Sequence, residues 1–342
     1  MKALLVVCVP GFGDVLLTTP LLAALKRAYP AAALDVLVLK GREGVLENNP
    51  DVREVLGIAK RPRLKEQAAL VRRIRGRYDI GISTSRSERP TWYVSLAATW
   101  RAALLPRGGR RKDWWKRRLL HAWVDVDEET HVVLQTRRFA ALLGIDEACD
   151  VVPPRANGRA APLDAPYAVI HTAPTALFKR WTDAGWAAVA RALRDRGLRL
   201  AVTGSKEDRA EALPPVLRDD ALDLRGELRF GELTPLLEGC TVFLGPDTSV
   251  THLAAAVGAP TVAVYGPTNL VKWGPWPKGH RGGAPSRMTG SQRAGNVYVG
   301  QGAGACGPCT ARGCEDHMKS RSACLDELPA SRVLAAVETL LG

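Results

Sequence analysis

The chain has 342 residues, too many for one ordinary core and enough for two domains, and no apolar run approaches the length of a membrane span. Its composition is globular, and 48 Lys and Arg against 35 Asp and Glu leave a formal charge of +13. Such an excess suits an anionic partner: nucleic acid, lipid headgroups or a phosphorylated acceptor.

The apolar start reads as a strand over residues 2–9. It runs into Pro10-Gly11-Phe12-Gly13-Asp14 without a small-residue cleavage site, which predicts a cytoplasmic protein rather than a signal peptide. A helix follows through 15–26, with apolar residues at helical spacing, and Pro30 ends it. Residues 34–39 form the second strand, 41–49 a loop or short helix, 52–56 a short strand. Residues 65–77 read as an amphipathic basic helix carrying Arg72 and Arg73, and 78–83 as another strand. A second basic cluster, Arg107, Arg110-Arg111-Lys112 and Lys116-Arg117-Arg118, is interleaved with Trp114-Trp115, a combination that suits a membrane interface. Residues 108–113 are loop-like and 128–143 read as a long helix. Residues 144–163, rich in Pro, Gly and Asp, read as a linker, which places domains at 1–155 and 164–342.

The rhythm restarts beyond the linker. Residues 167–171 are a strand, 183–194 a helix, 198–203 a strand, 204–207 a loop, 222–224 a short strand and 233–238 a helix. Thr241-Val242-Phe243-Leu244 then reads as a buried strand, and Gly245-Pro246-Asp247-Thr248-Ser249 hands over to an Ala-rich helix. Asp247 and Thr248 therefore stand at a helix N-terminus, where free N–H groups and the helix dipole favour phosphate. Residues 260–265 form the next strand, closed by Gly266-Pro267-Thr268 and then Lys272-Trp273-Gly274-Pro275-Trp276. Residues 331–341 are a last amphipathic helix. Alternating strands and helices imply two doubly wound parallel sheets with a cleft between them.

The first turn is a poor dinucleotide fingerprint: Leu16 stands where G-x-G-x-x-G needs its third Gly, and Leu39-Lys40, not an acid, closes the second strand. This counts against a nucleotide-dependent oxidoreductase. Asp14, an acid at a helix N-terminus after a Gly turn, suits a general base facing the cleft or an N-terminal cap. Lys179, in Phe178-Lys179-Arg180-Trp181 after a strand end holding His171, Thr172 and Thr175, is placed to meet a diphosphate. His252, about one turn beyond Asp247, either faces the same site or packs beneath the helix. Of seven cysteines, Cys8, Cys149 and Cys240 lie in or near apolar segments and read as inert. Cys306, Cys309, Cys314 and Cys324 fit a small metal knuckle, a disulfide or packed free thiols. No Asp-x-Asp metal motif stands at a promising strand end; Asp125-Val126-Asp127 reads as a helix cap.

Together these pieces resemble the heptosyltransferases of glycosyltransferase family 9, which build the inner core of lipopolysaccharide. The matching segments are residues 13–22, Lys179-Arg180-Trp181, Asp247-Thr248 with His252-Leu253-Ala254-Ala255, Gly266-Pro267-Thr268 with Trp273-Gly274-Pro275, and the cysteine-bearing tail. They run in collinear order over nearly the whole chain. The resemblance implies a GT-B fold: two Rossmann-like domains facing across a cleft, the N-terminal one for a lipid-linked saccharide acceptor and the C-terminal one for an ADP-activated heptose. It implies an inverting transfer that needs no metal or other cofactor. Asp14 would be the base and Lys179 the cation on the leaving diphosphate. Thr248 and the helix behind it would hold the phosphates, with Asp247 beside the donor sugar. Thr172 and Thr175 would add hydroxyl contacts, and Glu207 would reach the nucleoside. The family usually has Gly after Asp-Thr; here Ser249 stands there, which leaves room for another nucleotide sugar.

An acceptor anchored in the membrane implies a peripheral enzyme on the cytoplasmic face of the inner membrane. Arg72, Arg73, Arg110, Arg111, Arg117 and Arg118 would then be its acceptor and membrane face. A rival reading, a basic nucleic-acid-binding protein with a four-cysteine knuckle, leaves Asp14, Lys179 and the second β-α-β unit without a role.

Overall fold

The computed structural model describes residues 2–8, 11–108, 113–156, 163, 166–302, 304 and 309–342. The chain divides into two compact units, Met1–Arg155 and Ala156–Gly342.

In the first unit the elements are β1 (Ala3–Val7), α1 (Phe12–Ala28), β2 (Ala33–Leu39), β3 (Glu54–Ile58), α2 (Leu64–Ile74), β4 (Tyr78–Ser83), α3 (Glu88–Ala97), β5 (Ala98–Pro106), α4 (Trp114–Leu119), β6 (Ala122–Val126) and α5 (Val132–Leu143). The six strands pair in parallel in the order β3-β2-β1-β4-β5-β6. Central strands such as β1 are continuous apolar runs because helices cover both faces of a parallel sheet. Leu5, Val7, Leu37, Ile58, Ile74, Tyr93 and Val94 form one side of this core. Only Leu70 and Ile74 of α2 are buried, so its basic face is left to solvent.

Two differences from the sequence reading stand out here. The helix expected over 128–143 begins at Val132, because the His131 imidazole accepts the Val133 N–H at 3.2 Å and caps it there. Asp127 closes the turn before it, accepting the Glu129 N–H at 3.1 Å and pairing with Arg138. In addition, α3, β5 and β6 fill a stretch with no clear period. Trp100 and Arg101 in β5, and Trp123 and Asp125 in β6, interrupt the apolar run that marks a buried strand.

The second unit contains β7 (Tyr167–His171), α6 (Asp183–Asp195), β8 (Arg199–Thr203), α7 (Pro215–Asp220), β9 (Ala221–Asp223), α8 (Leu233–Glu238), β10 (Val242–Pro246), α9 (Ser249–Val257), β11 (Thr261–Tyr265), α10 (Leu270–Trp273), β12 (Gln292–Ala294), β13 (Val297–Gln301), α11 (Ala323–Asp326) and α12 (Ala330–Leu341). The order is β12-β13-β11-β10-β7-β8-β9, with β12 alone antiparallel. Read from β9, its parallel strands repeat the connectivity of the first sheet: third, second, first, fourth, fifth, sixth. Trp181 and Trp186 meet edge to face in its core, ring centroids 5.0 Å apart. Gly185 lies against that ring so closely that a Cβ there would sit 2.5 Å from it. Gly258, at φ +93°, ends α9 in the left-handed conformation that favours glycine.

Candidate functional site

In open parallel sheets ligands collect at the carboxyl ends of the strands, where the strand order reverses. In the second sheet that point lies between β7 and β10. The Asp247 carboxylate, 7% exposed, sits directly after β10. Its Oδ2 accepts from Lys179 Nζ at 2.7 Å and from Thr268 Oγ1 at 2.7 Å. Burial works against ionising this carboxyl. The Lys179 ammonium, with its hydrogen bond and that of Thr268, outweighs burial and holds the group below the usual carboxylate range. Tyr265, the last residue of β11, lies beside the same carboxylate and donates to the Trp273 carbonyl at 3.2 Å.

Lys179 is held by its neighbours in the chain. It ends a 3-10 turn, Leu177–Lys179, that follows β7. Phe178 is buried and its carbonyl accepts from Ser322 Oγ at 2.7 Å. The Leu177 N–H donates to the Met318 carbonyl at 3.0 Å. Trp181 is fully buried, and its ring N–H donates to the Leu328 carbonyl at 3.0 Å. Arg180 pairs with Glu211 at 2.6 Å. The Lys-Arg-Trp motif is thus one cation at the site, one at the surface and one core anchor.

Thr248 caps α9: its hydroxyl accepts the Thr251 N–H at 3.4 Å. The N–H groups of Ser249 and Val250, at the first two helical positions, have no intrahelical acceptor, an arrangement that favours an anion. His252 is buried on the same helix, and its Nδ1 has no hydrogen-bond partner among the described residues. Burial pulls its pKa down to about 4, against the pull of Asp247 and with the help of Lys179, so the ring is neutral at pH 7. His252 is thus buried within the fold and electrostatically coupled to both Asp247 and Lys179.

His171 closes β7 as a second buried, neutral histidine, lowered to about 4 by burial, with Nδ1 3.1 Å from Thr203 Oγ1. Thr172 and Thr175 follow it, half-buried and exposed respectively, on the loop that leads to Lys179. Glu207 stands on an exposed 3-10 turn, Glu207–Ala210, after β8. Its carboxyl is held low by its own backbone N–H and by Ser205, not by the Lys179–Asp247 group. Sequence reasoning quoted Thr268 without a role; the Gly-Pro turn after a buried strand was the available signal, since it places the next side chain at the strand end.

Asp14 belongs to the first unit, in the first turn of α1 after β1, the strand beside that sheet's own reversal point. Its carboxylate accepts the Gly11 N–H at 2.8 Å, so it does cap the helix. The basic face is built on α2 and α4. Arg72 is exposed, and Arg73 pairs with Glu54. Arg117 lies over the Trp123 ring at 4.8 Å and Arg118 over Trp114 at 5.4 Å. Trp115 packs on Trp92 of α3 at 5.5 Å, and Trp92 and Trp114 are 51% and 60% exposed. Lys116 corrects the sequence reading: it is buried, pairs with Asp113 at 2.7 Å and donates to the Arg86 carbonyl, so it holds α4 in place rather than adding to the surface charge. Arg110 and Arg111 lie outside the described residues.

Cys8, Cys149 and Cys240 are buried, and burial pushes the Cys8 and Cys240 thiols up to about 12. Cys309 and Cys314 are exposed free thiols and Cys324 is half-buried; Cys306 lies outside the described residues. The Cys314 sulfur accepts the Ala323 N–H at 3.4 Å. Among the described residues no group of three or more metal-ligating side chains is assembled.

Comparison with known proteins agrees with this architecture. The lipopolysaccharide heptosyltransferase 3 of Escherichia coli K12 is 28% identical over 297 residues, covering 77% of this chain and 82% of that protein. A glycosyl transferase family 9 structure from Veillonella parvula DSM 2008 superposes with TM-score 0.77 at 20% identity, covering 99% and 97% of the two chains. The E. coli heptosyltransferase WaaC, solved with ADP-2-deoxy-2-fluoro heptose, does so with TM-score 0.71 at 21% identity, covering 99% of each chain. These likenesses show the fold to be GT-B, built from two Rossmann-like doubly wound domains. Residues 67–283 match the family profile of glycosyltransferase family 9 (heptosyltransferase), and the chain therefore belongs to that family of glycosyltransferases.

Proposed function

We propose that this enzyme moves a heptose, with inversion, from an ADP-activated donor to a lipopolysaccharide inner-core acceptor. The observation that carries the reading is the pair that Lys179 makes with the buried Asp247 beside the N-terminus of α9, at the reversal point of the second sheet. A cation and free helix N–H groups there suit a diphosphate, and the E. coli relative solved with an ADP-heptose analogue supports the donor.

Asp14 takes the proton of the acceptor hydroxyl, whose oxygen forms the new bond to the anomeric carbon. The bond from that carbon to the diphosphate breaks, and its electron pair leaves with ADP. Lys179 and the N–H groups of Ser249 and Val250, backed by the Thr248 cap, stabilise the charge that develops there. Asp247 and the neutral His252 face the donor sugar, Thr172 and Thr175 add hydroxyl contacts and Glu207 reaches the nucleoside. These roles need no catalytic cofactor. A structural metal at Cys306, Cys309, Cys314 and Cys324 would add to folding and not to transfer.

The acceptor is a lipid-linked saccharide, and the exposed Trp92 and Trp114 with Arg72, Arg73, Arg110, Arg111, Arg117 and Arg118 form the face that meets it and the anionic inner leaflet. No helix among the described residues is long and apolar enough to cross a membrane, so the association we propose is peripheral, on the cytoplasmic face.

Transfer from ADP-heptose to a heptose-deficient core lipid, in the presence of EDTA, tests the reading. Product with the ADP sugar, and little with UDP or GDP sugars, is expected. Transfer from another nucleotide sugar instead would assign Ser249 a part in donor choice, and strict dependence on added Mg²⁺ would remove the leaving-group role from Lys179.

A further inference from the structure

We propose that Thr268 is a positioning residue that holds the Asp247 carboxylate in place while Lys179 turns from it to the donor diphosphate. This rests on the diphosphate reading of Lys179. In the structure, one carboxylate oxygen, Asp247 Oδ2, carries both donors: Lys179 Nζ at 2.7 Å and Thr268 Oγ1 at 2.7 Å. Lys179 therefore has two claims on its charge, the buried carboxylate and the incoming phosphates. A carboxylate this deeply buried cannot lose its cation without either strong destabilisation or protonation. The neutral His252 offers no charge in its place. Tyr265 hydrogen-bonds both to the Trp273 carbonyl, at 3.2 Å, and to Asp247, so its one phenolic proton is shared between them. The Thr268 hydroxyl, at 2.7 Å, is the donor committed to Oδ2 when the ammonium leaves.

The chain makes this donor dependable. Thr268 follows β11, which pairs in register with β10 through Pro246 and Val264, so the strand ends that carry Asp247 and Thr268 are fixed to each other by the sheet. Lys179 sits on the separate turn after β7, on a long side chain that is 28% exposed, and is the partner free to move. The hydroxyl thus matters little in the free enzyme, where Lys179 also holds the carboxylate. It matters more in the ligand complex, where Lys179 is shared with phosphate.

A double-mutant cycle read by calorimetric ADP affinity tests this. Thr268→Val, which keeps the shape and removes the donor, should weaken ADP about tenfold, since a hydrogen bond to a charged group is lost where it has become the main one. Adenosine, with no diphosphate to draw Lys179 away, should bind unchanged, and Thr268→Ser should restore ADP affinity. In the Lys179→Ala background, where nothing moves away from Asp247 on binding, Thr268→Val should have no further effect on ADP. Thr268→Ala carries the same expectations, so a folding defect in one variant does not end the test. Wild-type ADP affinity in Thr268→Val and Thr268→Ala, or an equal loss with and without Lys179, overturns the proposal. If Lys179→Ala itself binds ADP as wild type does, it is the diphosphate reading of Lys179 that fails.

Discussion

Removing Lys179 should cost stability as well as transfer. The Asp247 carboxylate is 7% exposed, and in Lys179→Ala it loses its cation and keeps the neutral donors Thr268 and Tyr265. Breaking a buried ion pair from one side costs about 3–5 kcal/mol. The lysine side chain is 28% exposed and the threonine remains, so solvent screening brings the cost below that scale, to about 2–3 kcal/mol. For a domain of this size that lowers Tm by about 5–10 °C. The loss should be pH-dependent with a definite sign. In the wild type the Asp247 pKa is lowered in the folded state, so its contribution is present above the unfolded value and is lost as pH falls through the folded one. Without Lys179 the lone buried carboxyl prefers its proton, so the gap between variant and wild type should shrink as the medium is acidified. Adding Asp247→Asn to Lys179→Ala removes the stranded charge and should recover most of the melting temperature while transfer stays absent. Thermal melts of the wild type and the two variants at pH 7.5 and 5 read all of this. A Lys179→Ala protein that melts with the wild type, or a double variant less stable than the single, refutes the account.

Asp14→Asn should lower kcat by about 10²–10⁴-fold with ADP affinity unchanged; turnover near wild type would leave Asp14 only the helix cap it makes to Gly11. The two buried histidines, both lowered to about 4, contribute stability that is full above about pH 6.5 and is lost as pH falls towards 4. Urea midpoints should fall across that window, and His252→Asn should flatten the slope; midpoints independent of pH would show that the rings do not stay neutral. Charge reversal at Arg117 and Arg118 with Trp92→Ser and Trp114→Ser should abolish flotation with anionic vesicles at low salt and leave ADP affinity intact, whereas equal flotation of variant and wild type removes the membrane role of this face. If the cysteine segment holds a structural metal, purified protein should contain about one equivalent of zinc or iron and lose stability on chelation; metal-free protein of unchanged Tm leaves free thiols.

The sequence shows the strand ends of the site well, because each couples an apolar run to a Gly or Pro turn: Leu244 to Gly245-Pro246, and Tyr265 to Gly266-Pro267. It shows less where a polar or bulky residue breaks the apolar run, as Arg101 does in β5. The pairing of Lys179 with Asp247 joins two turns far apart in the chain, and no periodicity encodes such a contact. The burial of Lys116 was hidden for a related reason. Its neighbours Arg117 and Arg118 are surface cations, and only the fold shows that the position between Trp115 and Arg117 turns inward to Asp113.

The turn that carries Lys179 has a consequence for how the enzyme is made. Its supports, the Met318 and Leu328 carbonyls and the Ser322 hydroxyl, lie well over a hundred residues downstream in the chain. During synthesis at about 5–20 residues per second, the turn waits on the order of ten seconds after Lys179 is joined before its last support exists. Contacts of such long range also bring a large loop-closure cost to folding and form slowly. The second sheet can pair its central strands β7, β8 and β10 before then, so a nascent chain would carry an assembled sheet with an unsupported lysine. The geometry of this turn should therefore be completed late, as the tail docks.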